Sequence, residues 1–189
     1  MNGLYRAALE IQKFCQDRQW KFCFIGGLAL VRWGEVRQTQ DADLCLLTGF
    51  ENEAAYVTEL LKHFKSRVDD AYDFSVASRV VLLFASDGVP LDISLAGRSY
   101  EERMIRRSSD FQYLPGVVLK TASAEDLIVL KAFAGRTRDW ADIEGILIRQ
   151  SDALDWEQIM EELVPLCELK ESPETTDRLK KLRHDLDAE

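Results

Sequence analysis

Asp41 and Asp43 flank Ala42 at the head of the apolar run Ala42–Leu47. In an extended strand side chains alternate faces, so both carboxylates point the same way. Side by side they repel unless a cation or a proton lies between them. Upstream, Gly26-Gly27 separates an apolar strand, residues 22–25, from a short helix over 28–33. Glycines that open a helix offer backbone N–H groups to a phosphate. A phosphate cradle followed by paired carboxylates suits a metal-bound nucleotide. Read singly, the pieces are weaker: a D-x-D serves equally as a solvated turn or helix cap, and a diglycine as a tight strand–helix connection.

A third acid follows. Residues 79–85 and 89–95 are β-rich and flank the turn signal Ser86-Asp87-Gly88, which predicts a hairpin. Leu91, Ile93 and Leu95 share one face of its second strand, leaving Asp92 on the other with Ser94. If that strand lies beside Asp41 and Asp43, three carboxylates converge, unless Asp92 merely caps a neighbouring element. Such a group has the hardness that Mg²⁺ prefers, with Mn²⁺ as the alternative. Two such ions roughly 3.5–4 Å apart clamp the attacking and leaving oxygens of an in-line displacement. Arg37 and Thr39 share the odd parity of Asp41 and Asp43, so an extended backbone puts all four on one side. Arg37 would then meet phosphate oxygens or pair with an acid.

The elements that must position these residues are readable in outline. Leu4, Ala7, Ala8, Ile11, Phe14 and Cys15 recur at helical spacing, giving a first helix that ends before Trp20. Gly34 is a C-terminal stop for the helix after the diglycine. Ala54, Ala55, Val57, Leu60, Leu61 and Phe64 mark a helix packed on the sheet. A short helix is expected over 101–107 and a last strand over 117–122. Ser123, with Asp126 three residues on, caps a helix through Phe133 that Gly135 ends. Helices are expected over 139–148 and 156–169, then, past Pro173, a charged segment that is either helix or frayed tail. Composition shifts near residue 116, so we expect a core over 1–116 and a helical C-terminal region over 117–189 packed on it. The fold class is α/β (α+β), a mixed sheet flanked by helices.

With 189 residues, 47% hydrophobic and 30% charged, the chain has the composition of a globular domain. No apolar run is long enough to span a bilayer. Arg6, Glu10 and Lys13 interrupt the first residues, so a signal peptide is not expected and a cytoplasmic location is. The four cysteines lack C-x-x-C spacing and read as buried thiols rather than a zinc site. With His63 and His184 the only histidines, a His-centred metal site or triad is not expected. A net charge of −9 argues against wholesale nucleic-acid binding while leaving room for a local basic groove around Arg98, Arg103, Arg106 and Arg107.

G-G-L-A-L at 26–30, R-Q-T-Q-D-A-D-L at 37–44 and V-P-L-D-I at 89–93 together resemble the nucleotidyltransferase superfamily of the polymerase-β type. D-L-I-V-L-K-A-F-A-G-R-T-R-D-W-A-D-I at 126–143 is similar to bacterial minimal nucleotidyltransferases, including abortive-infection toxins. The resemblance implies a mixed sheet flanked by helices, with Asp41, Asp43 and Asp92 as metal ligands and catalytic residues. It implies that Gly26 and Gly27 face the triphosphate, that Lys131 contacts phosphate, and that Asp139 or Asp142 completes the helical side of the site. From the residues alone, Lys131 is equally a solvated helix residue, Asp139 suits a helix start, and Asp142 could pair with Arg138. The expected nucleotide-binding set is thus Gly26, Gly27, Arg37, Thr39, Lys131, Asp139 and Asp142.

The expected chemistry is Mg²⁺-dependent transfer of a nucleoside monophosphate from a nucleoside triphosphate to an acceptor hydroxyl, with release of pyrophosphate. The acceptor is left open between a tRNA end, a protein hydroxyl and a small molecule. One departure stands out: Leu28 follows the glycines where many relatives carry a hydroxyl. It motivates the alternative of a catalytically silent nucleotide-binding protein or toxin–antitoxin partner of the same fold, acting with a cognate antitoxin or other partner protein and no membrane.

Overall fold

The structure, a computed structural model, describes residues 2–36 and 38–188. The chain divides into two compact units. One comprises Met1–Leu28 and Gln38–Ala122, the other Ala29–Arg37 and Ser123–Glu189.

In the first unit the described residues form a seven-stranded mixed sheet. Its strands are β1 Phe22–Phe24, β2 Ala42–Leu47, β3 Lys65–Ser66, β4 Val80–Phe84, β5 Pro90–Ala96, β6 Ser109–Leu114 and β7 Val117–Thr121, in the spatial order β3-β4-β5-β2-β1-β7-β6. β2 runs antiparallel to β1 and parallel to β5, while β4 and β5 form the expected hairpin. Helix α1, Gly3–Asp17, and helix α3, Glu53–His63, supply Leu4, Ile11, Phe14, Val57 and Leu60 to one core with Phe24, Leu44, Leu46, Leu83, Leu91 and Ile93. Those strand residues share one face, so one face of the sheet is apolar across β1, β2, β4 and β5. Buried Gln12 fixes α1 to β7: its Nε2 donates to the Val118 carbonyl at 2.8 Å and its Oε1 accepts from Lys120 N–H at 3.0 Å. Both polar ends of that side chain are thereby satisfied.

Three elements in this unit have no counterpart in the sequence reading: the two-residue strand β3, the strand β6 and helix α4, Ala71–Ser78. β6 is an edge strand whose side chains are nearly all exposed, so it lacks the alternation that marks a half-buried strand. α4 leaves Tyr72, Phe74 and Val76 exposed and has no apolar stripe at helical spacing. Helix α5, Ser99–Arg107, lies against β2 with Met104 fully buried. All four cysteines are buried free thiols. Burial pushes the Cys15 thiol up to about 12, against a smaller downward pull from Arg18.

Helix α2, Gly26–Trp33, begins in the first unit and ends in the second. It opens at the diglycine itself, two residues earlier than the sequence predicts. The second unit continues with α6 Ala124–Ala134, α7 Thr137–Gln150, a 3₁₀ turn Ser151–Ala153, α8 Trp156–Leu169 and α9 Glu174–Asp187. Ser123 caps α6 by accepting from Asp126 N–H at 3.1 Å, and Gly135, at φ +71°, closes it with a bond to the Lys131 carbonyl. Arg149 and Gln150 donate to the Gly34 and Trp33 carbonyls, each at 2.7 Å, satisfying backbone groups at the end of α2. Gly34 lets neighbouring side chains approach closely: a Cβ there would lie 2.7 Å from Leu30 Cδ1 and 3.0 Å from Ile146 Cγ1. The charged C-terminal segment is helical, and Arg178 and Arg183 stack on Trp140 and Trp156.

In this stretch of the chain the sheet unit runs to Ala122 and the helical unit begins at Ser123. The composition does change near 116, but β7 pairs with β1 and β6 and so belongs to the sheet.

Candidate active site

β2 and β5 lie side by side in parallel with Asp43 opposite Asp92, one step from the Leu44–Ile93 pair of the apolar core. Residues opposite one another on neighbouring strands share a face, so Asp43 and Asp92 emerge together on the face away from α1 and α3. Asp41 immediately precedes β2 with the same parity. Each of the three can offer a carboxylate oxygen, and these oxygens lie within 4.8 Å of one another, all half-buried. Topology delivers the convergence that alternation alone predicted only conditionally.

The surroundings of the acids are closely fitted. Thr39 Oγ1 donates to Asp41 Oδ1 at 3.0 Å, orienting that carboxylate. Gly26 stands at φ +56°, and a Cβ built on it would meet Asp43 Oδ2 at 2.0 Å and Asp43 Cβ at 2.9 Å. A Cβ on Gly27 would meet Thr39 Oγ1 at 2.4 Å. The diglycine thus admits Asp43 and Thr39 to the opening turn of α2. Gly27 N–H points at Asp43 Oδ2 from 3.4 Å, a long contact with a carboxylate. Leu28, at the position of the expected hydroxyl, is fully buried in the core of the sheet unit.

The remaining expected site residues divide between those outside the description and those of the helical unit. Arg37 lies outside the described residues. Lys131, Asp139 and Asp142 belong to the helical unit, where they form a second cluster, each less than a tenth exposed. Lys131 Nζ lies 2.5 Å from Asp142 Oδ2 and 3.6 Å from Asp139 Oδ1. Arg136 Nε donates to Asp139 Oδ2 at 2.8 Å, and the same oxygen accepts the Arg136 backbone N–H at the start of α7. Lys131 is therefore not a solvated helix residue, and Asp142 takes Lys131 as a partner. Asp139 is engaged at a helix start, as its spacing allowed.

Sequence reasoning missed Arg67. Its guanidinium pairs with Asp92 through Nη1 and Oδ1. The available signal was weak: Lys65, Ser66 and Arg67 follow directly on α3, with no apolar alternation to announce a strand.

The donor set fits a hard divalent cation, since three carboxylates supply oxygen ligands only and are gathered at coordinating range. A family model described as "Nucleotidyltransferase of unknown function" (DUF6036) matches residues 3–184. Among solved structures, the chain is similar to an antigenic nucleotidyltransferase-like protein from Paracoccidioides brasiliensis, with 16% identity, TM-score 0.53, 94% of this chain and 92% of that one covered. It is also similar to LnuA, a lincosamide antibiotic adenylyltransferase solved with lincomycin bound, with 13% identity, TM-score 0.51, 75% of this chain and 94% of that one covered. No curated protein matches in sequence.

Proposed function

The chain belongs to the nucleotidyltransferase family matched over residues 3–184, and on that premise we propose that it moves a nucleoside monophosphate from a nucleoside triphosphate to an acceptor hydroxyl, releasing pyrophosphate. The observation that carries this reading is the set of three carboxylates within 4.8 Å on β2, β5 and the residue before β2. Asp41, Asp43 and Asp92 would hold Mg²⁺ or Mn²⁺, which when bound supplies charge neutralisation for the phosphates. Thr39 keeps Asp41 aimed into the site. Gly26 and Gly27 keep the first turn of α2 bare, so that backbone rather than side chain faces the triphosphate. Asp92 takes the proton from the acceptor hydroxyl as its oxygen bonds to the α-phosphorus and the bond to pyrophosphate breaks. Positioning and charge do most of the work in such transfers, so few other groups are needed.

ATP and small hydroxyl-bearing acceptors are the first choices to test, because one similar structure is named as an antibiotic adenylyltransferase. The experiment incubates the protein with Mg²⁺, α-labelled triphosphates and panels of small alcohols, tRNA and proteins, with Asp43→Asn as control. Labelled product that the control fails to make supports the reading. No product together with no calorimetric binding of Mg²⁺–triphosphate ends it.

Leu28 favours a second reading. Its side chain is committed to the core, so position 28 offers no hydroxyl to a phosphate. A chain that binds nucleotide without turnover, and acts through a partner protein such as an antitoxin, would show calorimetric binding and no transfer. Multiple turnover removes that alternative.

A further inference from the structure

Arg67 enters the site by a route fixed in the backbone. Its N–H donates to the Leu82 carbonyl at 3.0 Å, extending the β3–β4 ladder one residue past Ser66. Leu82 lies opposite Asp92 across β4–β5, and Asp92 opposite Asp43 across β5–β2. Residues in one such row share a face. Arg67, Leu82, Asp92 and Asp43 therefore run in line across four adjacent strands, on the face opposite the apolar core. Strands lie about 4.8 Å apart, so the Arg67 backbone is two strands from Asp92. The long side chain crosses Leu82 and passes 5.9 Å from the Phe84 ring to bring its guanidinium to the carboxylate. Asp43 stands on the other side of Asp92 in this row. The Arg67 and Asp92 side chains are 27% and 32% exposed, so the pair can part without opening the core.

We propose that Arg67 is the internal counter-ion of Asp92, holding that carboxylate in the metal-free protein and yielding it when a divalent cation binds. This rests on the metal-site reading above. A guanidinium and a divalent cation drawing on one carboxylate repel each other, so each weakens the other's hold. Arg67 offsets part of the like-charge repulsion among the three acids and raises the metal concentration at which all of them are engaged. Its hold falls on Asp92, the group assigned to the acceptor proton. Asp41 keeps its own support from Thr39.

The test is titration of nucleotide-free protein with Mn²⁺ alone, followed by the paramagnetic resonance of free Mn²⁺, for wild type, Arg67→Gln, Arg67→Met, Arg67→Lys and Asp43→Asn. Circular dichroism checks folding of each variant. Both neutral variants should bind Mn²⁺ about three- to tenfold more tightly than wild type, and Arg67→Lys should stay near it. The neutral variants should also melt lower without metal and gain more from it. If wild type binds Mn²⁺ and Asp43→Asn does not, yet the neutral Arg67 variants bind equally or more weakly, the counter-ion role is overturned and Arg67 merely orients Asp92. A wild type that binds no Mn²⁺ removes the metal site, and this inference with it.

Discussion

The two acidic clusters of this molecule differ in how their charges are met. In the helical unit, Asp139 and Asp142 are nearly fully buried, and each meets a cation: Arg136 and Lys131 for the former, Lys131 for the latter. In the sheet unit, Asp41, Asp43 and Asp92 are half-buried and gather like charge within 4.8 Å, with Asp92 held by Arg67. A buried ion pair with its partners in place is a structural device whose disruption is costly. Like charges brought to close range cost energy in the apo protein and are repaid by a ligand. The contrast teaches that acid residues in a helpful-looking motif must be sorted by what already neutralises them.

Removing the cation from the buried cluster gives the largest expected effect. Lys131→Met removes the ammonium that meets both Asp142 and Asp139 in a desolvated place, and should cost about 3–5 kcal/mol in urea unfolding. A loss below about 1 kcal/mol would break the comparison, because it would mean that water already reaches the cluster. Gly26→Ala comes next. It forces a side chain at φ +56° and drives a Cβ against Asp43 Cβ, which is anchored in β2 and cannot swing away. The cost should be about 1–3 kcal/mol, together with loss of metal–nucleotide binding measured by calorimetry. Thr39→Ala removes the hydroxyl that orients Asp41. It should cost about 0.5–1.5 kcal/mol and weaken Mn²⁺ binding several-fold. Unchanged metal affinity would show that Asp41 needs no such support.

Much of this arrangement was legible in the chain. The period-two parity of Leu91, Asp92 and Ile93, and of Asp41 and Asp43, states which face each side chain takes, and the structure keeps that parity. Which strands become neighbours is a matter of topology, and the β2–β5 pairing that unites the acids had to come from the structure. Arg67 was invisible for the same reason, since its link to Asp92 crosses a strand lying between them. β6 escaped because an exposed edge strand carries no alternation. The family resemblance around Lys131 implied a phosphate contact, yet it could not show that its ammonium already meets acids contributed by the next helix. Partners separated by a turn between helices leave no periodic signature. Leu28, by contrast, was marked by its departure from an expected hydroxyl, and its burial gives that departure a physical meaning.

The smallest expected change in stability is also the most discriminating. Asp43→Asn keeps the shape of the side chain and removes one negative charge from the converging trio. In the metal-free protein this relieves like-charge repulsion with Asp41 and Asp92 while leaving the core untouched, so the variant should melt at the wild-type temperature or slightly above it. The long contact from Gly27 N–H can be kept by the amide oxygen of asparagine. Binding should move the other way, since a neutral amide is a poorer ligand for a hard cation, and most of the Mg²⁺–triphosphate affinity should disappear. An aspartate used as an ordinary cap or ion-pair partner behaves oppositely, costing about 0.5–2 kcal/mol when lost and leaving ligand binding intact. Thermal melts of wild type and variant, each with and without Mg²⁺ and triphosphate, separate the two. A destabilised apo variant whose ligand-induced shift equals that of wild type would place the sheet cluster in the same structural class as the Lys131 cluster.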